Sequence, residues 1–175
     1  MPRNRLVLLI SVLFFLFMGL GKAGAQRQDY QLAKDAAKSG DKEFALMHFS
    51  SVLKNDPDPN HRQEALFAVA EYYYLAGDFP DSLGSLSEFL ENYPDSKLRP
   101  VALFLLLEIS ENFNNDSLSK SVEKQIMDLK RIFLVFKEAQ EYSFKSPLGL
   151  DYKLIYYIDK IEFFINGQLK KQIIY

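Results

Sequence analysis

Two amphipathic helix patterns in the middle of the chain constrain the fold more than any other feature. The first predicted helix runs from Glu64 to Ala76 and the second from Pro80 to Asn92. Apolar residues recur at the three-and-four spacing of one helix face, at Leu66, Val69, Ala70 and Tyr73 and again at Leu83, Leu86, Phe89 and Leu90. Gly77 and Asp78 lie between them. Glycine tolerates the left-handed conformation that ends a helix, and aspartate can cap the start of the next one. This stretch predicts a helical hairpin.

A second copy of the pattern begins 37 residues earlier. This shift places Gly40 and Asp41 on Gly77 and Asp78. It also aligns Leu46 with Leu83, Phe49 with Leu86, Val52 with Phe89, Leu53 with Leu90, Asn55 with Asn92 and Pro57 with Pro94. A single hairpin cannot bury both of its apolar faces, so the copies are expected to stack.

The two copies resemble the tetratricopeptide repeat, whose pattern is W-x2-L-G-x2-Y, then A-x3-F, then P over 34 residues. The central copy, Gln63 to Ser96, matches at Leu66, Val69, Ala70, Tyr73, Ser82, Leu86 and Pro94. The earlier copy, Gln26 to Pro59, matches at Leu32, Ala33, Ala45, Phe49 and Pro57, but has Asp29 and Ala36 at places where large side chains are usual. Residues 60–62 separate the copies, which lengthens the period to 37.

The remaining chain is interpreted as further helices. The apolar run Val101 to Ile109 predicts a buried helix, and Ser117 to about Glu141 predicts a long helix that completes a degenerate third hairpin over 97–141. Ser146 and Pro147 predict the start of a final helix through about Ile165, with Leu150, Leu154, Ile158, Ile161 and Phe164 on one side. The predicted fold is all-α: a short solenoid of about three hairpins over 26–145, closed by a C-terminal capping helix and tail over 146–175.

The first 25 residues have the pattern of a secretory signal peptide. Arg3 and Arg5 precede the apolar run Leu6 to Leu20, and small residues end at Ala25, so cleavage after Ala25 and a periplasmic location are predicted. The alternative is an uncleaved N-terminal membrane anchor, although the run is shorter than the ~20 residues that span a bilayer.

Composition narrows the function classes. The chain has no cysteine, which excludes disulfides and a lipidated cysteine after the leader. Residues 1–25 hold three of the 21 basic residues and no acidic one, so residues 26–175 carry 18 Lys and Arg against 23 Asp and Glu, a net charge of −5. Nucleic acid is therefore not an expected partner.

No pattern indicates catalysis, a cofactor or a metal. The two histidines, His48 and His61, lie in a predicted helix and a turn, and both are interpreted as histidines at the solvent edge. No phosphate-binding glycine loop or zinc-ligand spacing occurs. The chain is predicted not to be an enzyme.

The resemblance implies a concave groove that holds a peptide. The matching groove positions are Tyr30, Gln31 and Lys34 in the first copy, and Phe67, Ala68, Glu71 and Tyr74 in the second. Burial of Phe67 and Tyr74 by the terminal helix is the alternative. Glu71 lies where an amide would be needed to clamp a C-terminal carboxylate, so recognition of a chaperone tail is not expected.

The expected function is a non-catalytic adaptor or scaffold that binds an envelope protein, with peripheral association to a membrane complex. The phrase from Gly77 to Ser96 is similar to repeats of two kinds of periplasmic protein, the lipoprotein partner of the outer-membrane β-barrel assembly machine and the coordinator of Tol–Pal with cell-wall synthesis. Two alternatives stay open. One is a small-ligand or transport module with an apolar pocket lined by Phe67, Tyr74 and Phe104, and the other is a homodimer formed through Phe163 to Tyr175.

Overall fold

A computed structural model describes residues 28–129 and 139–175, which form six helices followed by a four-stranded sheet. The helices are α1 (28–39), α2 (Lys42–Asn55), α3 (Pro59–Ala76), α4 (Phe79–Asn92), α5 (Arg99–Asn112) and α6 (Asp116–Asp128). The strands are β1 (Ala139–Lys145), β2 (Asp151–Tyr157), β3 (Lys160–Ile165) and β4 (Gln168–Ile174). The predicted signal peptide lies outside the described residues. No helix in the described part of the chain is long and apolar enough to cross a membrane.

The glycine–aspartate pairs end one helix and begin the next, as predicted. Gly40 and Gly77 have φ of 85° and 76°, the left-handed conformation that glycine adopts without a steric penalty. The Asp41 carboxylate accepts a hydrogen bond from the Phe44 N–H at 3.0 Å, and Asp78 caps α4 in the same way. These local signals fix where the chain reverses.

Consecutive helices pack side by side. The small face of α1, formed by Ala33, Ala36 and Ala37, lies in one apolar cluster with Phe49 of α2 and residues of α3. Helix α3 packs on α4, α4 on α5 and α5 on α6. We refer to the surface formed by α1, α3 and α5 as the inner helical face.

Helix α5 is buried on all sides, as its unbroken apolar run predicts. Residues 101–107 and Ile109 are each at most 5% exposed. Helices α4 and α6 flank α5, and the sheet covers the surface they leave open. A side chain such as Phe104 therefore contributes about 1.5–3 kcal/mol through burial alone.

The four strands form an antiparallel meander in the order β1-β2-β3-β4. Alternate residues of β2 and β3 point to the helices, namely Tyr152, Leu154, Ile161, Phe163 and Ile165, and all are at most 7% exposed. Asn166 and Gly167, with φ of 49° and 75°, form the tight turn between β3 and β4. Positive φ at both positions gives the turn that matches the twist of a hairpin.

The all-α prediction is wrong, because 146–175 form no capping helix. The long predicted helix from Ser117 is shorter, since α6 ends at Asp128 and residues 139–141 begin β1; residues 130–138 lie outside the described part. The apolar residues of 150–165 are so dense that a helical stripe could be drawn through them. Their burial instead alternates with the period of two that strands require.

Candidate functional site

The sheet covers the part of the inner helical face that α3 and α5 provide. The Phe67 ring meets the Tyr152 ring edge-on at 6.4 Å, and the Phe104 ring stacks on Phe163 at 4.6 Å. Phe67 and Phe104 are 37 residues apart, so they occupy matching places on consecutive inner helices. Each receives an aromatic ring from the sheet, and the offset and edge-on geometries are the favourable ones.

Glu71 of α3 is a buried carboxylate at this interface. It is 0% exposed, and its Oε1 accepts a hydrogen bond from the Tyr152 hydroxyl at 2.5 Å. No described residue gives Oε2 a hydrogen bond of good geometry. Burial raises the pKa of the Glu71 carboxyl to about 7, although the Tyr152 and Ser146 hydroxyls and the Leu148 N–H oppose the rise. Burial beside Glu71 also raises the pKa of the Tyr152 hydroxyl.

Two tyrosine–glutamate pairs join consecutive inner helices. The Tyr30 hydroxyl of α1 donates to Glu64 of α3, and the Tyr74 hydroxyl of α3 donates to Glu108 of α5. The two partners are 34 residues apart in both pairs. Burial and the neighbouring carboxylate raise the pKa of both tyrosine hydroxyls. These bonds hold the inner helices side by side.

Helix α1 lies at the end of the inner helical face that the strands do not cover. Its Tyr30 ring stacks on the His61 ring at 3.8 Å, and His61 Nδ1 lies 2.9 Å from an Asp56 oxygen. Lys34 Nζ is 3.4 Å from the Tyr30 hydroxyl and 3.9 Å from a Glu64 oxygen. This end of the inner helical face therefore has a stacked aromatic pair beside side chains of both charges.

A cleft of about 600 Å³ opens between α1 and the turn that joins β1 to β2. Lys34, Ala37 and Lys38 line one wall, Glu64 contributes from α3, and residues 144–149 form the other wall. We call this site the α1 cleft. Its volume is within the roughly 300–1,000 Å³ of ligand-binding pockets.

The wall at 144–149 is fixed in place. Leu148 is 6% exposed and belongs to the apolar cluster of α1, α2 and α3. The Ser146 Oγ accepts a hydrogen bond from the Leu150 N–H at 3.0 Å, and the Gly149 N–H donates to the Ser146 carbonyl. The α1 cleft is therefore preformed, which lowers the ordering cost of binding.

The predicted groove residues do not form one surface. Lys34 lines the α1 cleft, with Tyr30 beside it, while Gln31 is exposed and donates a hydrogen bond to Asp35. Three others lie against neighbouring elements: Phe67 and Ala68 are at most 1% exposed, and Tyr74 is half-buried. Glu71 is also buried. The accessible groove residues are therefore Gln31 and the partly exposed Tyr30, Lys34 and Tyr74, of which Tyr74 is hydrogen-bonded to Glu108 of α5.

The wall formed by 144–149 was not predicted, because Ser146 and Pro147 were interpreted as the start of a helix. A usable signal was present. Asn166 and Gly167 are the pair most typical of a tight hairpin turn, and the preceding segment alternates Ile161, Phe163 and Ile165. This pattern predicts a β-hairpin over 160–174.

A polar cluster at Asp29 joins α1 to α2. Asp29 accepts a hydrogen bond from the Ser51 hydroxyl at 2.6 Å, and His48 Nδ1 lies 2.9 Å from the other Asp29 oxygen. A nucleophilic serine must instead donate to the histidine. Among residues 28–129 and 139–175, no group of three or more His, Asp or Glu side chains is placed to hold a metal ion.

No family model matches the sequence, and no curated protein matches it.

Proposed function

We propose that the chain is a non-catalytic adaptor of the bacterial cell envelope that binds a segment of a partner protein in the α1 cleft. The observation that carries this proposal is the uneven coverage of the inner helical face. Aromatic side chains of the sheet pack on α3 and α5, whereas Tyr30 and Lys34 of α1 lie at an open cleft of about 600 Å³.

The resemblance to tetratricopeptide repeats supports an adaptor, since such helix pairs act by holding other proteins. The C-terminal sheet narrows the accessible part of the groove to one end. The lining combines lysines with apolar groups, including Ala37 and Leu148. This mixture suits a peptide segment that has both polar and apolar side chains.

The pattern of residues 1–25 supports export. We expect the native chain to begin at Gln26 and to fractionate with the periplasm, either free or peripherally attached to a membrane complex. N-terminal sequencing of the native protein tests this point. Recovery of a peptide from Leu6 to Leu20 on the native chain would contradict cleavage and favour an N-terminal anchor.

Site-specific photo-crosslinking tests the α1 cleft. A photoreactive benzoylphenylalanine replaces Pro147, a partly exposed residue of the cleft wall. The matched control carries the same group at Lys124, an exposed residue of α6. Irradiation in the intact envelope is expected to produce a discrete adduct from position 147 and none from position 124. The same adducts from both positions, or none from position 147, would contradict the proposed function.

The alternatives receive less support from the geometry. Phe67 and Phe104 pack directly on sheet side chains, so the sheet occupies space that an enclosed ligand pocket would need. Self-association has one favourable feature, since Leu169 and Ile174 of the edge strand β4 are 52% and 73% exposed. Light scattering on the chain from Gln26 onward tests it, and a monomer at high micromolar concentration removes the homodimer.

A further inference from the structure

Strand β1 forms one edge of the sheet, and its end borders the α1 cleft. The strand order places β2 on one side of β1, and no strand among residues 28–129 and 139–175 pairs with its other side. An edge strand leaves about half of its backbone N–H and C=O groups unpaired by the sheet. Phe144 and Lys145, the last two residues of β1, line the α1 cleft. A segment bound in the α1 cleft can therefore contact the lining side chains and also the backbone of β1.

The lining charge of the α1 cleft is opposite to that of the whole chain. Lys34, Lys38 and Lys145 line it against one carboxylate, Glu64, whereas residues 26–175 carry a net charge of −5 from 18 basic and 23 acidic residues. Lysines from both α1 and β1 thus face the same opening. An acidic segment would be attracted to the lysines of the cleft and repelled by the net negative charge of the rest of the chain.

The intramolecular partners of Lys38 and Lys145 are weak competitors. Lys38 lies 3.9 Å from Asp35, and Lys145 lies 3.7 Å from Asp151. All four side chains are between 59% and 73% exposed. Exposed ion pairs of this kind contribute little to stability, so Lys38 and Lys145 can each exchange the partner for a carboxylate of a bound segment. Lys34 is less exposed and stays beside Glu64 and Tyr30.

Strand β1 itself contains two charged residues, Glu141 and Lys145. Of the two, Lys145, at its last position, lines the α1 cleft. An acidic segment is therefore expected to place its carboxylates at this end of β1, away from Glu141.

From this arrangement we propose that the partner segment is an extended, acidic peptide that adds as a strand to the edge of β1 that faces away from β2. Its carboxylates lie among Lys34, Lys38 and Lys145, and its apolar side chains face the partly exposed Phe144. Backbone hydrogen bonds to β1 supply affinity and the lysines supply selectivity. The proposal rests on the proposed function, because it names the class of segment that the α1 cleft holds.

Model peptides test the proposal directly. The probe is a fluorescent hexapeptide of alternating valine and glutamate with blocked ends, titrated into the chain from Gln26 onward by fluorescence anisotropy. The comparison peptides have lysine in place of glutamate, or N-methyl groups on alternate backbone nitrogens. The glutamate peptide is expected to bind at least roughly tenfold more tightly than either.

Charge reversal in the chain is the matched protein experiment. The double variant Lys38→Glu with Lys145→Glu is expected to lose binding of the glutamate peptide and to gain binding of the lysine peptide. Both side chains are largely exposed, so the fold should persist, which circular dichroism checks. The control Lys120→Glu with Lys124→Glu makes the same charge change on exposed positions of α6 and should keep wild-type affinities.

Each part of the proposal has its own refutation. Equal affinity of the wild-type chain for the glutamate and lysine peptides overturns the acidic preference, and undiminished binding of the N-methylated peptide overturns strand addition. A cross-link from position 147 to the native partner, without binding of any peptide, overturns this inference and leaves the adaptor function standing. Peptide binding without that cross-link contradicts the adaptor function instead.

Discussion

The substitution Glu71→Gln removes an ionisable carboxyl from the interface between α3 and the sheet. Glu71 is fully buried, and burial raises the pKa of its carboxyl from 4.5 to about 7. In the unfolded chain the same group ionises near its ordinary value. Between these two pH values folding therefore takes up a proton, and the free energy of unfolding must fall as the pH rises.

The magnitude follows from the two pKa values. Each pH unit of difference corresponds to 1.36 kcal/mol, so the rise from 4.5 to about 7 gives about 3 kcal/mol. This contribution of Glu71 is fully present below pH 4.5 and is lost as the pH rises to about 7. Glutamine retains an oxygen that can accept the Tyr152 hydrogen bond but does not ionise. The free energy of unfolding of the variant should therefore lack this pH-dependent loss, and it should rise relative to that of the wild-type chain as the pH increases.

Urea denaturation, followed by circular dichroism at several pH values from 4.5 to 8, measures the effect. The quantity to compare is the difference in free energy of unfolding between wild type and Glu71→Gln at each pH. A control, Glu91→Gln, removes an exposed carboxylate from α4 and corrects for the change of net charge. The reasoning would be refuted if the free energies of unfolding of wild type and Glu71→Gln changed with pH in parallel. It would also be refuted if the wild type became more stable relative to the variant between pH 4.5 and 7.

The remaining predictions concern the packing of the sheet on α5 and the backbone conformation of two glycines. Phe163→Ala removes a fully buried ring that stacks on Phe104, and we expect a loss of about 3–5 kcal/mol in urea denaturation; a loss below 1 kcal/mol would contradict the packing. Gly167→Ala should cost about 1–2 kcal/mol, because φ there is 75° although a methyl group would meet nothing within 4 Å. Gly84→Ala, in the exposed interior of α4 and with equally open space, should stabilise by about 0.5–1 kcal/mol. Effects of the same sign in the two glycine variants, measured by the same denaturation, would show that backbone conformation does not control them.

The candidate site was only partly predictable from the sequence. Tyr30 and Lys34 were expected at the groove and lie beside or within the α1 cleft, because their positions on α1 follow from local helix spacing. Phe67 and Glu71 were assigned to the same groove, yet both are fully buried by the sheet. Their accessibility depended on a segment more than 70 residues away in the chain, which no local pattern specifies.

The sequence by itself determined the helices of the first half, because their signals act between residues close in the chain. Asp41 and Asp78 cap helices, Gly40 and Gly77 end them, and apolar stripes mark the faces to be buried. The segment 139–175 was different, since its dense apolar residues were compatible with a helical stripe as well as with strand alternation. Only the tertiary structure decided it. Strands β2 and β3 place Tyr152 and Phe163 side by side, against Phe67 of α3 and Phe104 of α5. This burial stabilises the sheet and encloses Glu71, and the α1 cleft stays open beside the turn that joins β1 to β2.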